Sequence, residues 1–172
     1  MRPTFHLALL ACALYAATSL AAGWSNDSDP KPDPDYSDAL AANRLGQHER
    51  AVGLLQEYLE RAPKDANGQN QLAYAYRKLG KLPEALRHYQ LALNLDPKHR
   101  GAHEYLGEAY IAMGDLARAE AELQTLFQLC GPGCNEYAQL KAALDDYKVA
   151  IYISSVCGTA IPHSRRSSKT SK

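Results

Sequence analysis

A 34-residue period runs through the middle of this 172-residue sequence, and it restricts the chain to a repeat architecture. Gly46, Gly80 and Gly114 are 34 residues apart. Five further columns keep the same step: Leu45, Leu79 and Met113; Ala51, Ala85 and Ala119; Leu55, Tyr89 and Leu123; Leu59, Leu93 and Phe127; Pro63 and Pro97. Chance does not hold so many columns in register, so the chain is built from copies of one structural unit.

Each column has a physical role in a pair of helices. The alanine column predicts a close approach of two helices, because a larger side chain would push them apart. The glycine column predicts helix ends that enter the left-handed region at low cost. Pro63 and Pro97 end the second helix of a pair, because proline disfavours helical geometry in the residue before it. Tyr76 and Tyr110 provide large apolar area at helix seams, which indicates core packing and not a cofactor site.

The pattern within the copies resembles the tetratricopeptide repeat family, whose unit is a 34-residue helix-turn-helix. The middle copy carries most of the resemblance, with Leu72, Ala73, Tyr76, Gly80, Ala85, Tyr89, Ala92 and Pro97. The third copy has Leu106, Gly107, Tyr110, Gly114, Ala119, Leu123 and Leu126, and ends on Gly131-Pro132. The first copy matches from Gly46 to Pro63. The resemblance implies an all-α, right-handed solenoid of three helical hairpins, over about 32–65, 66–99 and 100–131.

A further helix follows the third copy. Tyr137, Leu140, Leu144, Tyr147 and Ile151 have the 3-4-3-4 spacing of an amphipathic helix. We expect it to cap the last repeat, since a solenoid needs a polar outer face at its end. Helices are predicted near 36–45, 48–61, 67–79, 83–95, 101–113, 116–129 and 135–151, with the capping unit over 134–152. The apolar segment 149–156 either finishes this helix or forms an exposed adhesive segment.

The first 35 residues indicate export and a spacer. Arg2, an apolar run from Phe5 to Leu14 and small residues before Ala21 predict a signal sequence over 1–21, cleaved after Ala21. The apolar run is too short to span a membrane, so no span is expected after cleavage. Leu9-Leu10-Ala11-Cys12 leaves a lipoprotein site at Cys12 as the alternative. Residues 22–35 are rich in Pro and Asp, which predicts an extended linker.

Charge is distributed unevenly although the net charge is zero. The part from Asp27 to Lys148 contains all 19 acidic residues but only 14 of the 19 basic ones. A net negative body argues against binding nucleic acid, because affinity for phosphates is mostly cationic. Residues 153–172 are predicted to be a flexible basic tail, too short for more than weak electrostatic attraction.

The cysteines give the chain its most specific chemistry outside the repeats. The turn Cys130-Gly-Pro-Gly-Cys134 brings two thiols close enough for a disulfide, which we expect in an exported protein. A redox-active pair is the alternative, although the spacing is not Cys-x-x-Cys. Haem attachment is excluded because no His directly follows Cys134. Two thiols alone make a poor zinc site, because zinc takes four ligands. His99 and His103 could share a helical face, but a structural role is favoured because further metal ligands are missing.

No nucleophile elbow, phosphate loop or paired carboxylate stands out, so we expect neither a catalytic residue nor a metal or cofactor. In proteins that this chain resembles, the first helix of each repeat lines a concave groove that holds a peptide or helix. Carried over by repeat position, the groove residues are Tyr36, Asn43, Arg44, Asn67, Asn70, Tyr74, Arg77, Lys78, Glu104, Glu108 and Ile111. The Lys/Asn clamp for a C-terminal carboxylate is not reproduced. The alternative for each position is a solvated surface.

The whole pattern resembles small periplasmic tetratricopeptide proteins of proteobacteria. Those proteins depart from this chain in the tail after Val149. It implies a non-catalytic adaptor or assembly factor of the cell envelope that binds another protein or peptide segment in the groove. Two alternatives stay open. One is a thiol-disulfide redox protein or chaperone that uses Cys130 and Cys134. The other is a self-associating structural protein that uses the repeat ends or segment 149–156.

Overall fold

A computed structural model of the chain describes residues 33–157, and within them every regular element is a helix. The predicted signal sequence, Cys12, most of the predicted linker and the end of the predicted tail lie outside the described residues. Seven helices follow one another along the described part: α1 Pro34–Arg44, α2 His48–Arg61, α3 Ala66–Lys78, α4 Leu82–Leu95, α5 Arg100–Ala112, α6 Leu116–Cys130 and α7 Asn135–Cys157.

The helices pair as the 34-residue period requires. α1 packs on α2, α3 on α4 and α5 on α6, and each pair also contacts the next. The prediction of an all-α solenoid of three helical hairpins with a capping helix is confirmed. Gly46, Gly80 and Gly114 have φ angles of 73°, 74° and 77°, in the left-handed region between the two helices of each pair.

Two apolar clusters hold the described helices together. The larger one contains residues of the first five helices, α1 through α5, and includes Leu55, Leu72 and Tyr89. The smaller one joins α5, α6 and α7 through Leu126, Leu140 and Leu144. The three alanines of the repeat column are completely buried, as expected where two helices approach closely.

The first helix begins earlier than the sequence predicted. The expected linker runs to residue 35, but α1 starts at Pro34, and the Asp33 side chain caps it by accepting a hydrogen bond of 2.9 Å from the Asp35 N–H. Proline fits the first turn of a helix because no hydrogen-bond partner is needed for its nitrogen. The last two residues assigned to the linker therefore belong to the first repeat.

The last helix extends further than predicted. α7 continues to Cys157, past the expected end at 151 or 152, so the flexible tail predicted from 153 begins as helix. Segment 149–156 thus finishes the capping helix, and it is also exposed. Val149, Tyr152, Ile153 and Val156 form one stripe of its surface, and Tyr152 is 69% exposed. None of the described helices is both long and apolar enough to cross a membrane.

Candidate functional site

The surface formed by α1, α3 and α5, the first helix of each pair, is called the groove below. α3 contacts both α1 and α5, so the three helices lie side by side. A cavity of about 170 Å³ opens at their junction. Its lining comes from all three helices: Leu40, Asn43, Arg44, Gln71, Tyr74 and Tyr105.

Tyr74 and Tyr105 form the aromatic centre of the groove. Their ring centroids are 5.2 Å apart, and each ring is partly exposed. The Arg77 guanidinium lies 5.5 Å from both ring centroids, and the Lys78 ammonium lies 5.3 Å from that of Tyr74. Cations over aromatic faces are attracted by the ring quadrupole, so these four side chains stabilise one another.

Arg77 is a mostly buried cation with polar partners on α4 and α5. Its Nη1 lies 2.7 Å from Glu108 Oε2 on α5, and its Nε donates to the Tyr89 hydroxyl at 3.3 Å. Burial alone would lower the pKa of Arg77, but Tyr89 and Glu108 outweigh burial and hold the pKa above its usual value. Only 12% of the Arg77 side chain is exposed. Arg77 therefore joins α3 to α5 and stiffens the aromatic centre from below.

Arg44 and Lys78 are the accessible cations beside the cavity. Both side chains are exposed, at the ends of α1 and α3. They occupy the same position in successive repeats, 34 residues apart. They are free to meet an anionic group of a partner without giving up a buried contact.

Asn43 and Ile111 are less available than their repeat position suggests. Asn43 is buried, and its Nδ2 donates to the Gln71 backbone carbonyl at 3.2 Å. Ile111 is buried in the apolar cluster that joins α5, α6 and α7. Both side chains hold helices together, so they offer less surface to a partner than their repeat position predicts.

The outermost predicted residues have local partners. Tyr36 packs against Tyr58 of α2, with ring centroids 5.0 Å apart. Asn67 is exposed, and its Oδ1 lies 3.1 Å from His99 Nε2. These two residues lie at the edge of the groove and can be reached by a partner without disturbing its centre.

Asn70 and Glu104 are the unusual polar groups of the groove. Asn70 is 4% exposed and Glu104 is 3% exposed. Asn70 Oδ1 and Glu104 Oε1 are buried without a hydrogen-bond partner among residues 33–157. Burial, reinforced by the nearby carboxylates of Glu108 and Glu136, raises the pKa of Glu104 to about 7. An unpaired buried polar group costs about 1–3 kcal/mol, so these two side chains need an explanation.

The histidines singled out in the sequence have structural roles. His99 caps α5, where its Nδ1 accepts from the Ala102 N–H at 3.1 Å. His103 is buried, with Nδ1 2.6 Å from Glu122 Oε2 and Nε2 3.0 Å from the Pro97 carbonyl oxygen. Burial would lower the pKa of His103, but these two acceptors raise it above its usual value, which favours a ring that donates from both nitrogens.

The cysteine turn lies between α6 and α7. The Sγ atoms of Cys130 and Cys134 are 2.01 Å apart and their Cα atoms 5.9 Å apart. A carboxylate oxygen of Glu136 lies within 4.8 Å of both sulfurs. Three ligand atoms at this distance fall short of the four that a structural zinc ion takes, and a bonded cysteine pair offers no thiolate.

Sequence reasoning missed two features of the surface. Tyr105 completes the aromatic centre; its repeat position, shared with Gln71, was not among those carried over. A second cavity of about 440 Å³ lies between α6 and α7, where Leu123, Phe127 and Tyr137 are apolar and Lys148 pairs with Glu120 at 2.6 Å. It lies where α7 packs against α6, and no sequence pattern indicates a cavity there.

Three models of the tetratricopeptide repeat match the sequence, over residues 39–65, 54–87 and 76–144. No curated protein sequence matches the chain. Several solved structures are similar. The first tetratricopeptide domain of Spaghetti (RPAP3), bound to the HSP90 peptide SRMEEVD, is 19% identical with a TM-score of 0.60, over 69% of this chain and 90% of that one.

Two further structures are similar over most of their own length. The tetratricopeptide domain of Sgt2 from Aspergillus fumigatus is 24% identical with a TM-score of 0.61, over 81% of this chain and 93% of that one. The TPR2B domain of yeast Sti1, in a complex named for pHsp70, is 25% identical with a TM-score of 0.57, over 66% and 98%. These similarities establish the fold of the described residues. Fold alone does not determine what the groove binds.

Proposed function

This chain belongs to the tetratricopeptide repeat family, and we propose that it is a non-catalytic interaction module that holds a segment of a partner protein in the groove. The observation that carries the proposal is the aromatic centre. Tyr74 and Tyr105 are partly exposed and held in place by Arg77, with two exposed cations beside them. Rigid aromatic and arginine side chains are the usual energetic centres of protein interfaces.

The similar structures support the same function by analogy. The RPAP3 domain is named as bound to a peptide, and the Sti1 domain as part of a complex. The groove of this chain is already assembled by the core, so a partner segment would find its contacts in place and little side-chain entropy would be lost.

The proposal includes the compartment of the protein and the disulfide between Cys130 and Cys134. The apolar segment after Arg2 supports export, with the periplasm as the destination, and an oxidising compartment would keep Cys130 and Cys134 joined. The bridge would then fix the start of α7 against the end of α6. The role we propose is that of an adaptor or assembly factor of the cell envelope.

Selection from a library of random peptides tests the proposal. Purified protein is used to select binding peptides, whose affinities are then measured by fluorescence polarisation. We expect binding peptides, and we expect Tyr74→Ser and Lys78→Glu to weaken them about tenfold each, the loss of roughly 1.4 kcal/mol of contact energy.

Matched variants control for general effects of the substitutions. Tyr152→Ser changes an exposed tyrosine on α7, and Lys64→Glu reverses an exposed charge in the turn before α3. Both should bind as the unmodified protein does. The proposal fails if no peptide is selected, or if the groove variants, shown to be folded by circular dichroism, keep full affinity.

A further inference from the structure

Two buried oxygen atoms of the helices that form the groove have no hydrogen-bond donor among residues 33–157. They are Oδ1 of Asn70 on α3 and Oε1 of Glu104 on α5. Both side chains are more than nine-tenths buried. Both oxygens are acceptors, so a hydrogen-bond donor would satisfy either of them.

The two side chains lie within one level of the neighbouring helices α3 and α5, a level about one helical turn high. They occupy one repeat position, 34 residues apart, on neighbouring helices. A Cβ atom added at Gly101, one turn before Glu104, would lie 3.5 Å from Nδ2 of Asn70, so the Asn70 amide reaches α5 at this level. The next turn of the two helices brings Tyr74 to Tyr105.

The charges around Glu104 are unbalanced. Three carboxylates surround this level, from Glu104, Glu108 and Glu136, and Glu108 and Glu136 each raise the pKa of Glu104. The guanidinium of Arg77 pairs with Glu108 at 2.7 Å, and that of Arg100 lies 3.5 Å from Glu136. Both guanidiniums are thus engaged by other carboxylates, and Glu104 has no salt bridge among residues 33–157.

We infer that Asn70 and Glu104 form a subsite for the cationic side chain of a lysine or arginine in the bound partner segment. An ammonium or guanidinium group donates several hydrogen bonds and carries the positive charge that this level lacks. The inference rests on the proposed function, because the cation belongs to the segment held in the groove. It gives that segment a chemistry: one basic residue placed beside the aromatic centre.

The subsite also orients the partner. Lys78, an exposed cation, follows Asn70 by eight residues on α3, which is about 12 Å along the helix axis. In a segment that also carries an acidic residue about 12 Å from the basic one, the acidic residue would face Lys78. A segment in the reverse direction would bring like charges together at both places.

A positional-scanning peptide array tests the subsite. The peptides selected by the purified protein are synthesised with every residue type at each position, and binding is compared for the unmodified protein, Glu104→Gln and Asn70→Ala. We expect one position at which Lys or Arg binds about tenfold better than the isosteric norleucine or citrulline. Glu104→Gln should remove that preference, and Asn70→Ala should reduce it.

The control variant is Glu84→Gln, which removes one charge from an exposed carboxylate at the start of α4. It should keep the preference. If peptides bind but no position prefers a basic residue, or if Glu104→Gln keeps the preference, the subsite is wrong and the proposed function stands. If no peptide binds the unmodified protein, the proposed function is wrong and the subsite with it.

Discussion

At Glu104, burial and charge act in the same direction. The folded chain raises the pKa of this carboxyl from 4.5 to about 7, first through burial and then through Glu108 and Glu136, against the opposing effect of Arg77. A raised folded pKa means that the folded state binds the proton more tightly than the unfolded state does. The stability that Glu104 gains from this proton is therefore complete below pH 4.5, and it is lost as the pH rises through 7.

Replacing Glu104 by Gln should remove this pH dependence. Between pH 5 and pH 8 the free energy of unfolding of the unmodified protein should fall by about 2–3 kcal/mol more than that of Glu104→Gln. Urea denaturation of both proteins at the two pH values measures the difference, which is independent of the histidines because both chains contain them. Parallel pH profiles would show that Glu104 titrates as an ordinary exposed carboxyl.

Single residues show where sequence reasoning was sufficient and where it was not. The exposure of Arg44 and Lys78 follows from repeat position, because that position lies at the end of a helix in each copy. The burial of Asn43 and Ile111 does not, since it depends on contacts with Gln71 and with α7. The unpaired oxygens of Asn70 and Glu104 could not be predicted, because no sequence pattern shows which side chains come within hydrogen-bond distance in the fold.

At the scale of the elements, the contact between α5 and α7 depends on a glycine. A Cβ atom added at Gly107 would lie 2.5 and 2.7 Å from the two methyl carbons of Leu140, which is completely buried. Gly53 is the matched case, since it also lies inside a helix but has nothing within 4 Å of the same added atom.

Alanine at these two glycines should have opposite effects. Gly53→Ala should raise the free energy of unfolding by about 0.5–1 kcal/mol, because alanine loses less entropy in a helix. Gly107→Ala should lower it by about 1–2 kcal/mol, because overpacking against Leu140 exceeds that gain. Chemical denaturation followed by circular dichroism measures both. If Gly107→Ala were as stabilising as Gly53→Ala, α7 would not be seated on α5 as described.

Helix positions were largely predictable because the periodic columns specify where each pair turns. The ends of the described region were less predictable. The cluster of prolines before residue 35 predicts a linker that includes Pro34, but a proline in the first turn of a helix loses no hydrogen bond. The β-branched run after Val149 weakens helix propensity without interrupting it, so α7 extends to Cys157.

At the scale of the whole molecule, the two apolar clusters should unfold with some independence. In a solenoid each repeat contacts only its neighbours, so a substitution is felt most strongly nearby. Leu144 lies in the cluster of α5 to α7, and Leu55 in the cluster of α1 to α5. Both side chains are almost completely buried.

Replacing either leucine by alanine should lower the free energy of unfolding by about 2–5 kcal/mol. The two substitutions should destabilise different helices. Hydrogen exchange followed by mass spectrometry should show Leu144→Ala opening α6 and α7 while α1 and α2 keep their protection. Leu55→Ala should reverse that order. Equal loss of protection in all seven helices for both variants would indicate a single cooperative unit.

The most direct test of the central claim, that the groove is the binding surface, is to map a bound peptide by NMR. The peptide selected with the highest affinity is titrated into isotope-labelled protein, and the perturbed signals are placed on the structure. We expect them to cluster on α1, α3 and α5 around Arg44, Tyr74, Lys78 and Tyr105. A cluster of perturbed signals in the cavity between α6 and α7, or along the exposed stripe of α7, with the groove unaffected, would contradict the account.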